Sequence, residues 1–187
     1  MVRKTVKIIG LAILILLAGL FISNIYYAHK LKDRFKEESL SSSEIRETIF
    51  VKKLGSVFAG KIWPGFDSVN IPLMLYNDSL AFLTGFDLQP EGWEAIESLD
   101  NTGPVYKKSV LNPQAFAVQV DSIWVASLGT INQMNRSMFW GLKKEMPAFI
   151  GSIFPFFLIQ VKEDMHVTGI LHEMFHVYEA IQNEQKF

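Results

Sequence analysis

Residues 169–178 read GILHEMFHVY, and the rest of the chain is best understood outward from them. The stretch holds His172, Glu173 and His176 in an HExxH arrangement, with nothing else strongly polar around them. On a helix, residues four apart sit one turn above each other on the same face, so both imidazoles reach one ion. Glu173 lies beside that face, placed to hydrogen-bond water on a metal rather than to ligate it. Zinc lowers the pKa of bound water toward neutrality, and a neighbouring carboxylate takes the proton as the water attacks a carbonyl. Ile170, Leu171, Met174, Phe175, Val177 and Tyr178 suit a helix buried in the floor of a cleft. Thr168 or Asp164 is placed to cap its start. The bland alternative is a helix whose two histidines are satisfied by ordinary hydrogen bonds.

At these residues the chain resembles the zincin metallopeptidases, which pack an HExxH helix against a mixed sheet. The resemblance covers the motif, its uncharged flanks and, loosely, the sheet-rich region before it. It implies that His172 and His176 are zinc ligands, that Glu173 is the general base, that Zn2+ is the cofactor and that a peptide or protein is the substrate. Gly169 stands where that group often has Val or Thr. The metzincin continuation fails, because Glu179 and Gln182 occupy the positions of its Gly and His. The gluzincin branch draws a glutamate from a second helix downstream, yet only eleven residues follow His176. Glu179 lies a further turn along the same helix, about 4.5 Å in rise beyond His176.

Three explanations of the third ligand stand open. The favoured one is a gluzincin-like protein that continues beyond Phe187, so that the domain seen here is incomplete. In the second, the ligand comes from upstream, with His166, Glu163 and Asp164 the nearest candidates. In the third, the site is incomplete and the protein inactive. His166 is six residues before His172, nearly opposite on the helix, and reads as a solvent or capping histidine. Two other HExxH classes drop out. Peptide deformylases use a cysteine ligand, and the chain has no cysteine. Intramembrane metalloproteases place the motif in a spanning helix, whereas Asp164 and Glu179 bracket only 14 residues here. A span needs roughly 20.

A spanning stretch does occur at the other end. Ile8 to Ile22 reads IIGLAILILLAGLFI, and Ser23 to Ala28 extends it without a charge. Arg3, Lys4 and Lys7 precede it, and SNIYYAHK after it offers no cleavage site, so residues 1–29 read as an uncleaved membrane anchor. Tyr26 and Tyr27 stand at the expected interface. Lys30, Lys32, Arg34 and Lys36 put positive charge on the second flank too. The favoured orientation is single-pass with the domain extracytoplasmic. Residues 30–43, charged and then serine-rich, read as a tether, leaving 44–187 as the zincin-like domain.

Between tether and motif, Ser41 and Glu44 have capping-box spacing, and Ile45, Ile49, Leu54, Val57 and Phe58 form an approximate helical stripe closed by Gly60. Trp63-Pro64-Gly65 is a turn. Residues 71–76 and 80–83 read as strands around Asn77-Asp78, and 89–103 as loop with a short helical piece around Trp93. Residues 105–110, 116–120 and 123–127 are further strands, separated by Asn112-Pro113 and Asp121-Ser122. Thr130 to Glu145 is helical, with Met134, Met138 and Leu142 in the core. Residues 146–161 are apolar but broken by Pro147, Gly151 and Pro155, so a second span is rejected. The fold class is α+β: an N-terminal transmembrane helix, then a mostly antiparallel sheet with the HExxH helix.

Lys and Arg number 18 against 19 for Asp and Glu, a balance that gives no case for nucleic-acid binding. The leading expectation is a membrane-anchored, zinc-dependent metallopeptidase-like protein. The alternative is an inactive or non-catalytic anchored domain with an incomplete metal site, binding a partner through its aromatic face (Trp63, Trp93, Trp124, Trp140).

Overall fold

The computed structural model describes residues 2–33, 38–96, 103–110 and 113–184. They fall into two compact units, one of Met1–Phe35 with Met134–Val161, the other of Lys36–Gln133 with Lys162–Phe187.

In the first unit, helix α1 (Val2–Asp33) carries the apolar run and continues past residue 29 into the charged residues assigned to the tether. Lys4–Leu31 is long and apolar enough to cross a membrane, and nearly all of its side chains are exposed. Its last turns are different. Asn24, Tyr27 and Leu31 are buried, and Tyr27 meets Phe139 edge-on at 5.6 Å between ring centres. Phe139 belongs to helix α4 (Ile131–Glu145), and it packs in turn on Phe156. Asn135 on the same helix donates to the Val161 carbonyl at 3.1 Å and accepts from the Val161 N–H at 2.6 Å. Residues 146–161 form only the six-residue helix α5 (Ala148–Ile153) and a 3-10 turn at Phe156–Leu158, in keeping with the rejection of a second span.

In the second unit, the capping box forms as read: the Glu44 N–H donates to Ser41 Oγ at 3.3 Å, and the Ser41 N–H to Glu44 Oε2 at 2.9 Å. Helix α2 (Ser42–Leu54) then runs through a π turn at Gly55–Ala59 into α3 (Gly60–Ile62), so Gly60 does not close it. The apolar stripe is not its inner face either. Ile49, Val57 and Phe58 are exposed, and the buried side is Glu44, Ile45, Glu47, Thr48 and Val51. The reason is a buried polar partner that apolar periodicity does not reveal.

The six strands are β1 (Leu73–Tyr76), β2 (Leu80–Thr84), β3 (Glu94–Ile96), β4 (Val105–Ser109), β5 (Phe116–Val120) and β6 (Ile123–Gly129). Their order is β3-β4-β2-β1-β6-β5. Only β1 and β6 pair in parallel, which makes the mostly antiparallel sheet a mixed one. The two hairpins arise from local chemistry. Asn77 Oδ1 accepts from the N–H groups of Ser79 and Leu80, turning the chain between β1 and β2. Asp121 and Ser122 both take positive φ, as a two-residue turn between β5 and β6 requires. The helical piece expected near Trp93 is instead the edge strand β3, held on β4 with Glu94 opposite Lys107. Residues 97–102 of that stretch, and Asn112 of the proposed turn, lie outside the described residues.

Met74, Tyr76, Ala81, Leu83, Tyr106 and Val125 bury one face of the sheet with Phe86 and Trp93. Alternate positions such as Leu73, Leu75 and Leu128 are buried as well, and the long helix α6 (Glu163–Glu184) packs over β6 and β5. Gly169 is the point of closest approach: a Cβ there would stand 3.1 Å from Leu128 Cδ2.

His166 corrects the sequence reading most sharply. It is neither exposed nor a cap but fully buried, with Nε2 2.9 Å from the Gly129 carbonyl and Nδ1 2.5 Å from Glu47 Oε2. Neither Thr168 nor Asp164 caps α6; the Thr168 hydroxyl donates to the Asp164 carbonyl within the helix. Because a carbonyl only accepts, Nε2 is the donor to Gly129, and Nδ1 faces the Glu47 carboxyl group. Removing one partner of such a buried pair costs about 3–5 kcal/mol. Glu47→Ala in the full chain in detergent is therefore expected to lower the urea midpoint, followed by tryptophan fluorescence, by an amount equivalent to that loss. An unchanged midpoint contradicts the pairing.

Candidate metal centre

The motif histidines occupy the middle of α6, and the helix is pinned at both ends of the motif. Upstream stands the buried His166. Downstream, Phe175 packs on Trp63 at 4.5 Å and Tyr178 on Phe66 at 5.3 Å. The Tyr178 hydroxyl also donates to the Pro64 carbonyl at 2.6 Å. The turn that receives it depends on Gly65, whose φ of 92° is left-handed.

Within that frame the two imidazoles converge. His172 Nε2 and His176 Nε2 are 3.1 Å apart. Two nitrogens about 2.0–2.1 Å from a tetrahedral zinc stand about 3.3 Å from each other, so the pair already matches two ligand positions of one ion. His172 is exposed, while His176 is half-buried and stacks on the Phe116 ring at 5.2 Å and 27°. His176 Nδ1, on the far side of its ring, lies 3.5 Å from Glu179 Oε2. A carboxylate facing the outer nitrogen is the usual second partner of a metal-binding imidazole. Glu179 thus faces the outer side of the His176 ring and not the converging Nε2 atoms.

Glu173 points to the sheet side. Its Oε2 is buried and has no hydrogen-bond partner among the described residues. A buried carboxylate oxygen without a donor is costly unless a ligand or water completes it. Its charge acts on Tyr76, at the C-terminal end of β1. Burial pushes the Tyr76 phenol above its ordinary value, the charge of Glu173 adds to this, and a backbone hydrogen bond from Ala115 works the other way. The phenol therefore stays protonated as a donor over the neutral range.

The upstream ligand candidates do not join this group. His166 is engaged with Glu47 and Gly129, and Glu163 and Asp164 are exposed in the first turn of α6. Among the described residues, no cluster of three or more His, Cys, Asp or Glu side chains is placed to hold a metal ion. Tyr76, Phe116 and the Glu47–His166 pair were not named from the sequence. They come from a strand, a strand and a distant helix, with nothing in their spacing that ties them to HExxH.

The chain matches no family model, and no curated protein and no solved structure is similar to it. The reading of the site rests on its own geometry. Neutralising Glu173 removes the charge that helps hold the Tyr76 proton, so Glu173→Gln is expected to shift the Tyr76 titration to lower pH. NMR of ring-labelled tyrosine, assigned by Tyr76→Phe, follows that shift; an unmoved midpoint places the carboxylate away from the phenol.

Proposed function

We propose that this protein is a membrane-anchored, zinc-dependent hydrolase of peptide bonds, similar in its site to the zincins. The observation that carries the reading is the 3.1 Å convergence of His172 Nε2 and His176 Nε2 beside a buried, unpartnered Glu173 oxygen. His172 and His176 are the two zinc ligands that the described residues offer. Zinc, when bound, supplies Lewis-acid chemistry and water of lowered pKa.

The protein's own residues do the rest. Glu179 holds the His176 ring, and Phe116 stacks on it. Glu173 accepts a proton at its carboxylate and returns it to the departing amine, with the burial of Oε2 keeping bulk water from competing for it. Beside this helix, β5 is the outermost strand of the sheet, paired on one side only by β6. An extended peptide can add to such an edge through its backbone, which brings a carbonyl toward the α6 face. The α1 helix keeps the activity at a membrane, with the domain on the extracytoplasmic side.

A second reading, a binding domain with an incomplete metal site, is favoured by the lack of a third donor among the described residues. One pair of variants separates the two. Glu173→Gln is expected to retain zinc while cleavage of a fluorogenic peptide library falls by about 10²–10⁴-fold, the usual worth of a general base. His172→Ala is expected to lose both zinc and cleavage. Wild-type protein that carries zinc but cleaves nothing supports the binding domain instead.

A further inference from the structure

We propose that residues 147–158 form a membrane-interface element, seating their exposed apolar side chains in the lipid beside α1. This rests on α1 being the membrane span, and it concerns a part of the chain to which no role has been given.

The segment reads PAFIGSIFPFFL, with Ser152 its one polar side chain and no charge. It is apolar on two sides. Phe156 is buried against Phe139, and Phe139 meets Tyr27 of α1. The opposite side faces outward: Phe149 is 70% exposed, Ile150 47%, Phe157 41% and Leu158 68%. Four large apolar side chains from two adjoining turns make a contiguous outward patch, which a water-facing surface seldom carries without a partner.

Lipid is the occupant that the surroundings favour. The Asn24 amide of α1 donates to the Ser152 carbonyl at 2.9 Å, and Asn24 is itself buried. Asn24 lies four residues before Ala28, about 6 Å inside the end of the apolar run at 1.5 Å per residue. Interfacial helices sit about 5–10 Å into the headgroup and acyl boundary, which is the depth that this hydrogen bond assigns. Two polar groups of the short helix are paired internally, as lipid favours: the Ser152 hydroxyl donates back to the Ala148 carbonyl at 2.7 Å, and the Ser152 carbonyl accepts from Asn24. Cations and an amphipathic ring stand where headgroups would be. Lys143 Nζ lies 5.3 Å from the Phe139 ring and 5.4 Å from that of Trp140, with Lys144 next to it. A cleft of about 260 Å³ opens at the same level, apolar at Phe21, Ile25 and Trp140 and polar at His29 and Lys143.

The absence of cysteine makes the test clean. Phe149→Cys and Leu158→Cys, each labelled with an environment-sensitive fluorophore, are reconstituted as full chains in phosphatidylcholine–phosphatidylglycerol vesicles. Ile15→Cys reports the span, and Leu88→Cys, at an 82% exposed site of the other unit, reports water. Quenching is measured with aqueous iodide and with lipids carrying a doxyl group near the headgroup or deep in the acyl chain. The expected result is shallow-doxyl quenching at 149 and 158, with iodide quenching several-fold weaker than at 88, and deep-doxyl quenching at 15. Iodide quenching at 149 and 158 equal to that at 88, with 15 still in lipid, overturns the proposal while leaving the span intact. Protection from both quenchers, as a protein–protein contact would give, also overturns it. A water-exposed label at 15 overturns the span and the proposal together.

Discussion

The buried imidazole of His166 is the constraint on which the α/β unit depends. It joins three elements through two nitrogens: its own helix α6, the end of strand β6 through the Gly129 carbonyl, and helix α2 through Glu47. A helix lying on a sheet through apolar contacts alone can slide or rotate at small cost, because dispersion contacts are many and undirected. A buried, directional bond to a single carbonyl removes that freedom. Six and seven residues further along the same helix stand His172 and Glu173, so their rotation relative to the sheet follows from where His166 is held. The close approach of Gly169 to Leu128, between the two, lets the helix sit low enough for that bond to form.

Much of the fold was legible in local chemistry. The capping box at Ser41 and Glu44, the Asn77 turn and the Asp121-Ser122 turn each formed where short-range rules place them, because each depends on residues within four positions. What was illegible depended on long-range polar pairing. The buried face of α2 was misread because Glu47, a charged residue, is more deeply buried than Ile49 or Phe58. His166 was misread for the same reason, since its partner lies 119 residues earlier in the chain. Strand β3 was hidden because Glu94 and Ala95 have little strand preference, one Ile96 makes no recognisable run, and the strand takes its form from pairing with β4.

The site divides in the same way. His172, Glu173 and His176 were named from spacing alone, since the helix brings i and i+4 together without help. The contact of Glu179 with the outer nitrogen of His176 depends on side-chain geometry that spacing does not show. Tyr76 and Phe116 reach the motif through the sheet, and only the strand order places β1 and β5 on either side of β6. The same helix therefore holds a directional anchor, a glycine contact and a two-nitrogen clamp in sequence, each acting on a different part of the sheet.

The central claim is that His172 and His176 hold one ion between them. Zinc K-edge X-ray absorption on the purified full chain in detergent tests it directly. The predicted result is two imidazole scatterers with nitrogen at about 2.0–2.1 Å from the metal. Protein that takes up no zinc, or a spectrum with oxygen neighbours and no imidazole signature, contradicts it.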